Sequence, residues 1–337
     1  MWNAVVVDRD YGSVSLEKQQ LLVENYAKKG MNLRLEHFKT DDEIVAGCAD
    51  ADALLCTGNP PITAKVLKGL PRLKVVQRFG IGVNSVDLEA ASEAGVLALF
   101  MPGFCIEELA VHATALILNL LRNVSYYDRG IRSGEWRKAK GPMPPNPEDL
   151  TLGLFGFGGS ARKLWKIFKD GFGTRVLAYD PYISPDKAPE GVEMVSFEEL
   201  LAQSDIVSLH APLTPETRHM FNKEAFEKMK KNAMIVNISR GELIDQKALE
   251  EALEQGEIQF AGLDVYEKEP LPADSPLIQR DDVVLTCHSA FYGVNSQKNQ
   301  LSLALELVDG VLNHKKVNGR YIANKGVVSK IEDLIIE

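Results

Sequence analysis

The stretch LFGFGGSAR, residues 154–162, leaves this chain few folds to adopt. It follows the apolar run TLGLFG and opens the helical pattern SARKLWKIFKDGFG, where Leu164, Ile167 and Phe168 share a face. Gly156, Gly158 and Ala161 form a GxGxxA pattern. In such a strand–turn–helix the first glycine permits a tight turn and the second lets the backbone approach a pyrophosphate. The small third residue lets the helix pack on the strand. Amides at the helix start, aided by the helix dipole, would hold the phosphates. Taken alone, the pattern is equally a glycine-rich turn that binds nothing. The next strand pattern, RVLAYD, ends at Asp180, about 20 residues on, where an acidic side chain meets ribose hydroxyls. A carboxylate there favours NAD over NADP, because it repels a 2′-phosphate. Asp180 could otherwise serve only the turn before Pro181.

Strand and helix patterns alternate along the whole chain. NAVVVD, NLRLEHF, ADALLCT and LKVVQRF read as strands, with LEKQQLLVENYAKKG (closed by Gly30) and ITAKVLKGL as helices. A long helix is expected from Glu107 to about Asn123, with Leu109, Ala113, Leu116, Ile117 and Leu120 at helical spacing. The proline-rich GPMPPNP, 141–147, reads as a surface break. Beyond it come RVLAYD, DIVSLH, AMIVNIS, FAGLDV and VVLTCH as strands. SFEELLAQ (Ser196 and Glu199 as a capping box), KEAFEKMKK and QKALEEALEQG (capped by Asp245) read as helices. Uniformly apolar strands predict an α/β fold with parallel sheets covered on both faces. The tail VVSKIEDLIIE is amphipathic and finds no place in this pattern.

At 337 residues the chain suggests two domains. A net charge of −9 without a basic run argues against a nucleic-acid partner. Cys48, Cys56, Cys105 and Cys287 have no metal or disulfide spacing, so no metal site and a reducing cytoplasm are expected. The start MWNAVVVDRD lacks a signal peptide's basic and apolar regions. No apolar run approaches the ~20 residues of a membrane helix.

Ligands of open α/β sheets sit beyond the carboxyl ends of strands. His210, Arg240, Asp264 and His288 end strand patterns there, and Glu269 lies just past Asp264. They fit a reaction that moves a hydride between a nicotinamide and a 2-oxo acid. Arg240 can bind carboxylate and carbonyl through its planar donors. His288 can give the proton. Glu269 would stabilise the imidazolium and raise its pKa. Asp264 could hold the nicotinamide carboxamide. Individually, each of these could be a strand terminator or a solvated loop residue.

These residues resemble the D-isomer-specific 2-hydroxyacid dehydrogenase family. RFGIGVNSVDLEAASEAGV, EELAVHATALIL, IRSGEW, LFGFGGSA, AYDP, SLHAPLTPETRHMF, MKKNAMIVNISRGELID, LDVYEKEPL and CHSAFY carry the resemblance, from about Leu54 to about Asn313. It implies catalytic Arg240, Glu269 and His288. It implies an NAD site of Gly156, Gly158, Gly159, Ser160, Ala161, Asp180, His210, Pro212, Thr217, Ile238, Arg240, Asp264 and His288. It implies substrate binding by the Gly80, Ile81 and Gly82 amides, Arg240 and Phe291. Residues 1–101 and 295–337 would form a flavodoxin-like substrate domain and 102–294 a Rossmann NAD domain, with the active site in the cleft between them. A homodimer through the NAD domain is implied.

The chain departs from the family pattern at Phe100 (usually Asn), Val111 (usually acidic), Ala161 (usually Gly) and Cys287 (usually Pro). Phe291 is aromatic, as in D-lactate dehydrogenase-like members, and suits a small apolar substrate tail; core packing would explain it equally. LLCTGNPPIT lacks the arginine that a phosphorylated substrate would want, although Arg78 could meet a second anionic group or form an ion pair. Glu269, where formate dehydrogenases carry Gln, argues against formate. The expected function is an NAD-dependent D-2-hydroxyacid dehydrogenase acting on a small 2-oxo or 2-hydroxy acid. A 3-phosphoglycerate dehydrogenase or an NADH-sensing, corepressor-like binding protein are the alternatives.

Overall fold

The computed structural model describes residues 1–8, 16–136, 144–331 and 333–337. Of the expected proline-rich break, Gly141, Pro142 and Met143 lie outside the described residues, as do Arg9 and Asp10 after the first strand. The chain divides into two compact units: Met1–Phe104 with Gly293–Glu337, and Cys105–Tyr292.

The first unit runs β1 (Trp2–Val6), α1 (Leu16–Lys28), β2 (Met31–Leu35), α2 (Asp41–Gly47), β3 (Ala53–Cys56), α3 (Ala64–Gly69), β4 (Val75–Arg78), α4 (Leu88–Glu93) and β5 (Leu97–Leu99). All strand pairs are parallel, in the order β2-β1-β3-β4-β5. Thr40, Thr63 and Asp87 accept the third helical amide of α2, α3 and α4, which starts these short helices. Both faces of the sheet are covered. Val6, Leu33, Leu55 and Leu97 form one core, and Val5, Leu54 and Val76 the other with Ile44 and Val66.

The second unit runs α5 (Ile106–Arg122), α6 (Val124–Arg132), β6 (Thr151–Phe155), α7 (Gly159–Phe172), β7 (Arg175–Tyr179), β8 (Glu193–Met194), α8 (Phe197–Gln203), β9 (Ile206–Leu209), α9 (Lys223–Lys228), β10 (Met234–Asn237), α10 (Gln246–Gln255), β11 (Phe260–Leu263) and β12 (Val283–Leu285). Its seven strands are parallel, ordered β12-β11-β10-β9-β6-β7-β8. The order reverses between β6 and β9, so ligand is expected beyond those two strand ends. The Ser196–Glu199 capping box and the Asp245 cap are both formed. α5 buries Ala113, Leu116, Ile117 and Leu120, as its spacing predicts, and ends where Asn123 turns left-handed at φ 53°.

After Tyr292 the chain returns to the first unit as α11 (Val294–His314), β13 (Lys316–Val317) and β14 (Ile335–Ile336). The amphipathic tail, unplaced from sequence, packs here: Val327 is fully buried, and Val328, Ile331 and Leu334 lie on the core that holds Leu305 and Val308 of α11.

Candidate active site

The glycine turn sits at the β6–β9 switch. Gly156 has φ +85°, and a Cβ there would lie 2.7 Å from the Ala211 amide nitrogen and 3.0 Å from the His210 carbonyl carbon. Only glycine lets these two loops touch. A Cβ at Gly158 would meet nothing within 4 Å, so that backbone is open to an approaching phosphate, and α7 starts there. Ala161 is fully buried and Gly159 lies against Ile106 of α5. Asp180 accepts the Phe157 amide (3.0 Å) on one oxygen and the Tyr182 amide (3.0 Å) on the other. A carboxylate offers about four acceptor positions, so it keeps capacity for ribose hydroxyls. These residues fit a dinucleotide.

His210 closes the same rim. Its Nδ1 meets Ser160 Oγ at 3.0 Å and its Nε2 meets Ser208 Oγ at 2.9 Å. Burial pushes its pKa down to about 3, so the ring is neutral. Thr217 Oγ donates to Pro212 O (2.8 Å) and tightens the next turn, while Ile238 is buried after β10.

Beyond β10 and β11 lies the charged group. His288 Nδ1 is 2.6 Å from Glu269 Oε2, with 42% and 35% of the two side chains exposed, enough for a substrate to reach. A carboxylate only accepts, so Nδ1 carries the hydrogen of this contact. The Glu269 carboxyl sits below the usual carboxylate range. Burial pushes it up, but the His288 bond and charge, the Tyr266 amide (3.1 Å) and the Arg240 charge outweigh that. Burial also depresses Arg240, against the opposing pull of Glu269 and Glu242; a guanidinium remains charged nonetheless. Arg240 Nη1 donates to Ser239 O (2.6 Å), and buried Asn237 donates to Arg240 O (2.8 Å), fixing the turn.

Some supporting residues escape sequence reasoning. A Cβ on Gly241 would lie 1.9 Å from the Tyr266 carbonyl carbon and 2.4 Å from the Glu267 nitrogen. The turn carrying Arg240 therefore rests backbone-to-backbone on the loop carrying Glu269. The dipeptide Arg-Gly was the one available signal. His288 itself is left-handed at φ 51°, and its amide donates to Asp264 O (2.7 Å). Asp264 is fully buried: Oδ1 accepts Thr286 Oγ (2.6 Å) and the Ser289 amide (2.9 Å), and Oδ2 the Ala290 amide (2.9 Å). His112 of α5 meets Thr286 Oγ at 3.0 Å. In this structure Asp264 thus holds the strained loop of His288. Phe291 stands edge-on to His288, with centroids 6.3 Å apart. Gly80, Ile81, Gly82 and Phe100 belong to the first unit, in the stretches after β4 and β5. Among the described residues no group of three His, Cys, Asp or Glu could hold a metal ion.

The family model for the NAD-binding domain of D-isomer specific 2-hydroxyacid dehydrogenases matches residues 114–290, the span that holds the cradle and the charged rim. The chain belongs to the D-isomer specific 2-hydroxyacid dehydrogenase family. It is an NAD-dependent oxidoreductase acting on 2-hydroxy acids, with NAD as cofactor. This dehydrogenase is 40% identical over 277 residues to a glyoxylate reductase of Korarchaeum cryptofilum, covering 78% of this chain and 83% of that one. It is 36% identical over 320 residues to D-3-phosphoglycerate dehydrogenase 2, chloroplastic, of Arabidopsis thaliana, covering 92% of this chain but 50% of that protein. The dehydrogenase therefore spans about half the length of that relative. A crystal structure of D-lactate dehydrogenase with NAD+ from Lactobacillus jensenii matches it with a TM-score of 0.76 at 26% identity, over 95% of this chain and 99% of that one.

Asp180 gives the first prediction for this dehydrogenase. Asp180→Ala is expected to weaken NADH binding about tenfold (about 1.4 kcal/mol) and to narrow its preference over NADPH. Fluorescence titration with both nucleotides checks this; unchanged NADH affinity would place Asp180 outside the ribose site.

Proposed function

We propose that the chain reduces a small 2-oxo acid to the D-2-hydroxy acid, and runs the reverse reaction, with Arg240, Glu269 and His288 as the working groups. The 2.6 Å His288–Glu269 contact carries this reading, because it sits beside Arg240 on the rim that also bears the cradle. The glycine turn and Asp180 would hold NADH, which would supply a hydride to the carbonyl carbon. Arg240 anchors the substrate carboxylate and polarises the carbonyl. His288 gives its Nε2 proton to the oxygen as negative charge develops there, and Glu269 stabilises the imidazolium beforehand. In the reverse direction neutral His288 takes the hydroxyl proton. Gly80, Ile81 and Gly82 would offer amides to the carboxylate, and Phe291 a wall for an apolar tail. The phosphoglycerate-type alternative gains no arginine from LLCTGNPPIT.

NADH oxidation tests this, with glyoxylate, pyruvate, hydroxypyruvate, 2-oxoisocaproate, phenylpyruvate, 2-oxoglutarate and a phosphorylated 2-oxo acid as substrates. Turnover of at least one unphosphorylated acid is expected. Silence throughout, with tight NADH binding, would favour a cofactor-sensing binding protein instead. A homodimer is part of the proposal: Val124 and Ile131 lie on one exposed face of α6, at 54% and 58% exposure, an apolar pairing suited to a second copy. A cytoplasmic setting is likewise proposed; among the described residues no helix is long and apolar enough to cross a membrane.

The pair also predicts a pH effect. The lowered Glu269 carboxyl is ionised at neutral pH, so what it contributes is present there and is lost as pH falls through the carboxylate range. Reduction needs protonated His288. Glu269→Gln removes the charge that holds that proton, so the alkaline limb of the reduction profile should move to lower pH. The acid limb of the oxidation profile, which needs neutral His288, should move the same way. Limbs that stay put, or move oppositely, would break the pairing.

A further inference from the structure

His219 lies in the turn before α9, outside the group described above, yet it is tied to that group twice. Its backbone is left-handed at φ 51°, a conformation a histidine holds at some cost. Its amide donates to Glu242 O at 2.8 Å, and two residues on Phe221 bridges Ile244 in parallel. Its Nε2 lies 2.6 Å from Glu267 Oε1. The two groups are within contact distance but do not form an aligned hydrogen bond. Arg218 faces Glu242 at 3.7 Å.

Glu242 follows Gly241, and Gly241 rests on the Tyr266–Glu267 peptide. The turn bearing Arg240 is thus held between two neighbours: the loop of Glu267 and Glu269, and the turn of His219. The two glutamates divide their work. Glu269 meets His288, and Glu267 meets His219. The side chains of the second pair are 42% and 33% exposed, so its contribution to stability is small. Its effect on placement need not be small, since a misplacement of about 1 Å can cost roughly 10²-fold in rate.

The geometry points to His219 as a positioning residue: with Glu267 it clamps the Arg240 turn against the Glu269 loop and so fixes the guanidinium that anchors the substrate. This rests on the assignment of Arg240 to the 2-oxo acid, and the test separates the two.

His219→Asn retains a residue that accepts the left-handed backbone; Glu267→Gln keeps the shape and removes the charge. The measurements on the full chain are KM and kcat for its best 2-oxo acid, and the affinity of the NADH complex for oxamate, an unreactive analogue. NADH affinity and Tm complete the set. Each single variant should raise KM and the oxamate Kd roughly tenfold, with kcat within about threefold. The double variant should be no worse than either single one. NADH affinity and Tm should hold. Additive effects, a KM within about twofold of the parent in both variants, or a KM change that tracks a fall in Tm would overturn the clamp. Arg240→Lys sorts the failures. If it raises KM while the other two do not, the clamp alone is wrong; if it leaves both KM and kcat unmoved, the Arg240 assignment falls with it.

Discussion

His288→Asn is expected to lower kcat for 2-oxo acid reduction roughly 10²–10⁴-fold, the range for losing a general acid. Asparagine is the apt replacement, because residue 288 sits at φ 51° and asparagine tolerates the left-handed region. The loop should therefore persist, with Asp264 still holding the Ser289 and Ala290 amides. NADH affinity, titrated in parallel, separates a deficit in proton transfer from one in cofactor binding. A single-turnover rate near the parent's would remove His288 from the chemistry.

Arg240→Lys is expected to cost about 10²-fold in kcat/KM, about 2.7 kcal/mol of transition-state stabilisation. Lysine keeps the charge but loses the planar pair of donors that can grip a carboxylate and its neighbouring carbonyl together. The loss should fall mostly on KM if the guanidinium binds the ground state and on kcat if it acts on the developing alkoxide. Steady-state kinetics with added guanidinium, which restores a planar donor, is the check. An enzyme indifferent to the substitution contradicts the anchoring role.

Much of this was legible in the sequence because the signals were local. GxGxxA between a strand and a helix, and Asp180 at the next strand end, name their own context. Helix α5 was readable because its apolar residues repeat at helical spacing and Asn123 stops it. By contrast α6, VSYYDRGIR, carries a glycine and β-branched residues that disguise a helix. α2 is a single acidic turn or two that depends on Thr40 for its start. The rim residues were readable as a set because parallel strands deliver their ends to one edge. Their supports were not. That Gly241 lies on the Tyr266 peptide, or that Asp264 binds the backbone past His288, is a matter of tertiary approach with no periodic trace. The tail was opaque for the same reason, since its partner, α11, is joined to it only by the fold.

Both nitrogens of His210 are occupied by serine hydroxyls, and its ring stays uncharged down to about pH 3. Mild acidification therefore brings no new cation to the glycine turn through this residue. An acid-induced tightening of nucleotide capture, if observed, would have to originate with some other ionising group.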